Sequence, residues 1–155
     1  MTAVQTNVEE RLVATNRKAR HEYSILETYE AGIVLTGTEV KSLRLGNANL
    51  SDGYAIVKEG EVWLIGMHVS PYQQGSYANV DPVRNRKLLL HRKEIRKLLG
   101  RLKEKGLTLV PLKVYFKQSL AKVLLGVARG KREYDKRHDI AKREAERTIR
   151  QRYAR

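Results

Sequence analysis

Apolar side chains recur along this chain at two periods, and the switch between them marks its elements. Tyr23, Ile25, Tyr29, Ile33, Val34 and Leu35 alternate loosely with polar residues and predict a strand, or a pair of strands broken near Glu30, Ala31 and Gly32. Thr38 is the expected cap of a short helix over residues 39–45, with Val40 and Leu43 inward, Glu39 near its positive end and Gly46 as its stop. The runs 53–57 and 62–69, rich in β-branched and aromatic residues, flank a turn at 58–61 and predict a hairpin. Residues 88–90 resume as a strand. Within 91–105, Ile95, Leu98, Leu99 and Leu102 fall at i, i+3, i+4 and i+7, one face of a helix that Gly106 ends. Residues 107–116 and 120–129 predict two more strands around Lys117, Gln118 and Ser119. The second is almost continuously apolar and so central, while Pro111 marks an edge or a bulge in the first.

Between these elements lie segments of other kinds. Residues 1–15 show no strong periodicity and read as a flexible leader. Residues 71–87 form the longest polar stretch inside the body, with Pro71, Pro82 and the basic trio Arg84, Arg86 and Lys87, which predicts a loop and a candidate contact site. Six or so short strands with two helices, and no parallel βαβ alternation, predict a mainly β fold. Its expected form is a small closed antiparallel barrel of the oligonucleotide-binding type over residues 16–129, with flanking helices.

The last 26 residues, 130–155, differ in kind. They carry ten Lys/Arg against five Asp/Glu, and Ile140 and Ile149 are their only aliphatic side chains larger than Ala, so burial cannot offset the entropy of ordering them. Glu133/Arg137, Asp139/Arg143 and Glu146/Arg150 nevertheless stand four apart in the orientation that supports a helix by about 0.2–0.5 kcal/mol per pair. The segment is expected to be disordered alone and to fold as a helix on a polyanion.

Charge points to the same partner. A formal net charge of +14 on 155 residues favours a phosphate-rich ligand. The absence of Cys excludes disulfides, thiolate zinc sites and a Cys nucleophile, and fits a reducing compartment. No secretory h-region follows the N-terminus and no apolar stretch is long enough to span a bilayer, so the chain reads as soluble, cytoplasmic and without a membrane partner. The four His are scattered without ligand spacing, and 126–132 lacks the spacing and the Ser/Thr of a phosphate-binding loop. No metal, no cofactor, no catalytic residue and no enzymatic activity are expected.

Three basic constellations remain. Asn16, Arg17, Lys18, Arg20 and His21 precede Tyr23 at the entrance to the first strand, a mixture suited to phosphate contact and base stacking. A second lines the outer face of the 91–105 helix, from Arg92 to Lys105. The third is Lys113, Lys117, Lys122 and Arg129 on the last two strands. A general single-stranded nucleic-acid-binding barrel would also explain charge and fold, but usually shows more stacking aromatics than eight dispersed Tyr, one Trp and one Phe.

Four segments carry a more specific likeness: NRKARHEY (16–23), EAGIVLTGTEVKSLRLGNANLSDGYA (30–55), DPVRNRKLLLHRKEI (81–95) and LGVARGKREYDKRHDI (125–140). The set resembles the small protein B family, the bacterial SsrA-binding (tmRNA-binding) proteins, over residues 15–155. The resemblance implies an oligonucleotide-binding-type barrel that binds the tRNA-like domain of tmRNA and enters stalled ribosomes with it in trans-translation. It implies elongation factor Tu and alanyl-tRNA synthetase as partners reached through tmRNA. Asn16, His21, Glu30, Leu90 and Lys122 would form the tmRNA-binding surface. Gly130, Lys131, Arg132, Asp135, Lys136 and Arg137 would open a ribosome-acting tail that acts beyond the decoding centre, with its helix, including Ile149, in the empty mRNA channel.

Overall fold

A computed structural model describes residues 10–131 and 140–148. Nine strands and three α-helices follow one another in 10–131: β1 (Glu10–Thr15), α1 (Arg17–Glu22), β2 (Tyr23–Ile33), α2 (Gly37–Arg44), β3 (Ala48–Asn49), β4 (Tyr54–Lys58), β5 (Glu61–Ile65), β6 (His68–Val69), β7 (Arg86–Leu89), α3 (Arg92–Leu102), β8 (Leu107–Lys117) and β9 (Leu120–Gly130). A 3-10 turn, Gln73–Ala78, precedes β7. Antiparallel pairing runs β8-β4-β5-β7-β2-β9 and returns from β9 to β8, so six strands form a ring. The expected mainly β fold with flanking helices is present.

The predicted pattern accounts for the interior of that ring. Val62 and Leu64 of β5, Leu88 of β7, Ala31 and Ile33 of β2, Val123, Leu125 and Val127 of β9, and Leu109 and Val114 of β8 meet in one buried cluster. Burying such side chains contributes about 1.5–3 kcal/mol each. Leu98 of α3 is fully buried against the same cluster, while Leu99 stays 40% exposed. Of the helical stripe read from sequence, Ile95 and Leu102 also pack half-buried against this cluster, and Leu99 alone departs from it. Pro111 does mark a bulge: the β8–β9 register shifts between Pro111 and Lys113.

Several expectations are corrected. Residues 10–15, read as part of a leader, pair with β8 as β1, from Glu10 opposite Lys117 to Thr15 opposite Lys113. A bulge between Leu12 and Ala14 breaks their alternation, and Leu12 points into solvent, which hides the strand from a periodicity reading. The basic entry to the first strand is a helix, α1, because Asn16 caps it: its Oδ1 accepts from the Ala19 N–H at 3.0 Å. β2 runs unbroken through Glu30, Ala31 and Gly32, which pair with Leu124, Val123 and Lys122. Thr36, not Thr38, caps α2. Its Oγ1 accepts from the Glu39 N–H at 3.4 Å and the Glu39 carboxylate accepts from the Thr36 N–H at 2.9 Å. Finally, β9 continues to Gly130, and the Lys131 N–H donates to the Glu22 carbonyl at 2.8 Å, so these two residues, read as the start of the tail, are bonded to the body.

Candidate nucleic-acid interface

On the outer face of the ring, three residues distant in sequence converge. Glu30 from β2, Leu90 just after β7 and Lys122 from β9 line one groove of about 420 Å³, together with Gly32, Leu89, His91 and Glu94. β2 sits between β7 and β9, so the register that sets Gly32 opposite both Leu89 and Lys122 builds the groove. The Glu30 carboxylate is held in place: it accepts the hydroxyl of Tyr115 and lies 3.5 Å from Lys117 Nζ. The Tyr115 hydrogen bond is the main reason its carboxyl stays below the usual range, with Lys117 and Lys122 adding to the effect against the opposing pull of partial burial. Burial, and then the bond to Glu30, push the Tyr115 hydroxyl far up, so it remains a donor. The sequence reading leaves Tyr115 out and includes Lys117 only as one of the cations of the third basic constellation. Period-2 spacing along 113–117 places Lys113, Tyr115 and Lys117 on one face and was the available signal; Lys113 Nζ in fact sits 4.9 Å from the Tyr115 ring centre.

A second surface lies at the other end of the same strand pair. Tyr23 pairs with Gly130 and Gly32 with Lys122, a separation of about 30 Å along the strand at roughly 3.3 Å per residue. There α1 presents Arg17, Lys18 and Arg20 exposed and His21 half-buried. Lys131 joins them, its Nζ donating to the Arg20 carbonyl at 3.3 Å. Asn16 does not belong to this surface. It is 2% exposed, its Nδ2 donates to the carbonyls of Leu50 at 3.1 Å and Pro111 at 2.9 Å, and its Oδ1 caps α1. Its role is structural.

The basic trio of the 71–87 stretch is corrected as well. Arg86 is 0% exposed, with Nε 2.6 Å from Glu39 Oε2 and Nη1 2.7 Å from the Met67 carbonyl. Arg84 donates to the other Glu39 oxygen and to the Val34 carbonyl. Burial pushes the Glu39 carboxyl up, yet the donors from Arg84, the Thr36 amide and Arg86 outweigh it and hold the group below its ordinary value. These two arginines therefore clamp α2 to β7, which no local pattern reveals because their partner lies 45 and 47 residues away. Lys87 stays at the surface, 3.0 Å from Glu61.

α3 keeps Arg92, Lys93, Arg96 and Lys97 exposed, whereas Arg101 pairs with Glu27 and Glu104. Residues 140–148 are helical and exposed throughout. Arg132, Asp135, Lys136, Arg137 and Ile149 lie outside the described residues. Among the described residues, no group of three or more His, Cys, Asp or Glu is placed to hold a metal, and no helix is long and apolar enough to cross a membrane.

Comparison with known proteins adds a match over nearly the whole chain. A family model described as SmpB protein matches residues 13–155. The SsrA-binding protein of Acetivibrio thermocellus is 63% identical over 141 residues, which cover 91% of this chain and 92% of that protein. That of Desulforudis audaxviator is 64% identical over 140 residues, covering 90% and 92%. A solved structure described as "tmRNA-SmpB: a journey to the center of the bacterial ribosome" is 56% identical, superposes with a TM-score of 0.66, and is matched over 82% of this chain and 93% of its own.

Proposed function

The chain belongs to the SmpB protein family, and from that premise we propose that it binds the tRNA-like domain of tmRNA and carries it to stalled ribosomes for trans-translation. The observation that carries the reading at the level of residues is the meeting of Glu30, Leu90 and Lys122 in one groove. The strand ring serves as an oligonucleotide-binding-type barrel under the elbow of the tRNA-like domain. Lys122 neutralises a phosphate, Leu90 offers an apolar floor to an unstacked base, and Glu30 accepts hydrogen bonds from base or ribose donors. An acidic group facing RNA repels phosphate unless it is used this way. Fixed by Tyr115 and Lys117, it is ionised and oriented before the RNA arrives. The basic face of α1, with Arg17, Lys18, Arg20 and His21, contacts the backbone farther along. Selectivity comes from shape and loop bases, since the deep A-form major groove is poorly readable.

Residues 130–155 act on the ribosome rather than on tmRNA. Gly130 and Lys131 end the body, Arg132 follows, and Asp135, Lys136 and Arg137 open a segment that orders among ribosomal RNA phosphates in an mRNA channel left empty by stalling, with Ile149 seating its helix. Residues 140–148 are helical before any partner is met, contrary to the expectation of a tail disordered alone, so it is the seating of this helix in the channel that serves as the condition of acceptance. Elongation factor Tu and alanyl-tRNA synthetase are reached through tmRNA, the chain catalyses no step itself, and its work is cytoplasmic. Competition between the tRNA-like domain and an unrelated RNA of equal length at moderate salt tests this: strong preference for the former is expected. Equal competition would leave a general nucleic-acid binder in its place.

A further inference from the structure

Where the β8–β9 hairpin turns, two arginines, Arg11 and Arg44, meet beside one aromatic ring. Arg11 lies opposite Phe116 in the β1–β8 register, and its Nη2 donates to the Arg44 carbonyl at 2.7 Å. The Arg44 guanidinium, in the last turn of α2, sits 5.9 Å from the Phe116 ring centre. With Gln118 and Ser119 these residues line a pocket of about 240 Å³. Among the described residues, no carboxylate lies within ion-pairing distance of Arg11 or Arg44.

The turn itself is unusual. Two-residue hairpin loops whose central residues both take positive φ favour Asn-Gly. Here those residues are Gln118 (φ 50°) and Ser119 (φ 66°), and left-handed backbone outside Gly is costly and tends to persist where function requires it. Two polar side chains are kept at a strained turn that borders the two arginines. Planar donors fixed by a carbonyl and an aromatic face, with neutral donors beside them, match a phosphate group. The chain's charge of +14 and the position of Lys122, three residues beyond Ser119 and about 10 Å along β9, make that phosphate part of a nucleic acid.

We propose that the Arg11–Arg44 pocket binds a phosphodiester group of RNA, as a contact separate from the Glu30–Lys122 groove. The inference rests on the RNA-binding reading above but requires only an RNA backbone, not one particular RNA. Its test titrates full-length wild type, Arg44→Gln and Arg44→Lys with a transcript of the tRNA-like domain and with an unrelated RNA of equal length, across a salt series. Arg44→Gln leaves intact the carbonyl that Arg11 holds. It should weaken binding to both RNAs about tenfold and reduce the slope of log affinity against log salt by about 0.7–0.9. Arg44→Lys should restore the slope but not the full affinity, because an ammonium lacks the planar fork. Wild-type affinity and slope in Arg44→Gln would overturn the pocket, as would lost affinity at an unchanged slope, which marks a packing role. A wild type that does not prefer the tRNA-like domain overturns the functional reading instead, and the slope on both RNAs still decides the pocket.

Discussion

A single carboxylate, Glu39, receives donors from two arginines and a backbone amide while nearly buried, and Arg86 has no solvent to fall back on. Removing one partner of such a pair typically costs about 3–5 kcal/mol because the other charge stays buried. Glu39→Gln should therefore lower stability by that order in urea unfolding at neutral pH. The folded-state carboxyl is depressed, so its stabilisation is complete above the unfolded value, about 4.3, and is lost as pH falls through the folded one. The gap between wild type and Glu39→Gln should then narrow as pH drops below about 4; a gap independent of pH would contradict the ion-pair account. Glu30 has the opposite task, facing solvent rather than the core. Glu30→Ala should weaken binding of the tRNA-like domain by about 1–3 kcal/mol although it makes the protein more basic. Tyr115→Phe, which leaves Lys117 beside Glu30, should weaken it less. Tighter binding by Glu30→Ala in a folded protein, as simple charge predicts, would remove Glu30 from the interface.

Elements here stand or fall with a few contacts between them. α1 has six residues and buries only Ala19, too little for a helix to persist alone. Asn16 holds it by capping the helix and by satisfying two buried carbonyls from other segments. Asn16→Ala should destabilise the body by about 2–4 kcal/mol, from a lost cap plus unsatisfied carbonyls. Hydrogen exchange should show α1 opening first, while affinity at the Glu30 groove, whose lining residues are not the ones Asn16 bonds to, changes little once the protein is folded. Equal protection of α1 in wild type and variant would show that the cap is dispensable. From sequence, Asn16 looks like an RNA contact because it heads a basic run; only the fold shows its amide turned inward.

At the scale of the whole chain, the proposed function assigns tmRNA binding to the body and action on the ribosome to residues 130–155. β9, the last strand of the ring, ends at Gly130, and the Lys131 N–H and Nζ reach Glu22 and Arg20. A chain ending there should keep its melting temperature within a few degrees and largely keep tmRNA binding, because every strand of the ring is complete. Tagging on stalled ribosomes should be lost, and replacing Asp135, Lys136 and Arg137 together by Ala should do much the same, whereas Ile149→Ala should do less. An in-vitro trans-translation assay reads this directly. Transfer of alanine from tmRNA to a stalled chain by the truncated protein would reduce the tail to a solubilising appendage.

What the amino-acid order determined by itself is whatever depends on neighbours a few residues apart. The β4–β5 and β8–β9 hairpins, the amphipathic α3, the bulge at Pro111 and the basic, core-poor tail all rest on local periodicity, turn chemistry and composition. Family motifs put Glu30, Leu90 and Lys122 on one expected surface with Asn16 and His21; strand register set which of them share a groove. Tertiary structure decided what depends on partners far along the chain: that β1 and an unbroken β2 find their places in the sheet, that Arg84 and Arg86 turn to Glu39, that Asn16 bridges Leu50 and Pro111, and that Tyr115 fixes Glu30. The reason is that a charge or an amide carries no mark of whether it will meet water, a buried counter-charge or a phosphate. Closure of the strand ring sets that environment, because it fixes which side chains face inward and which distant groups they meet.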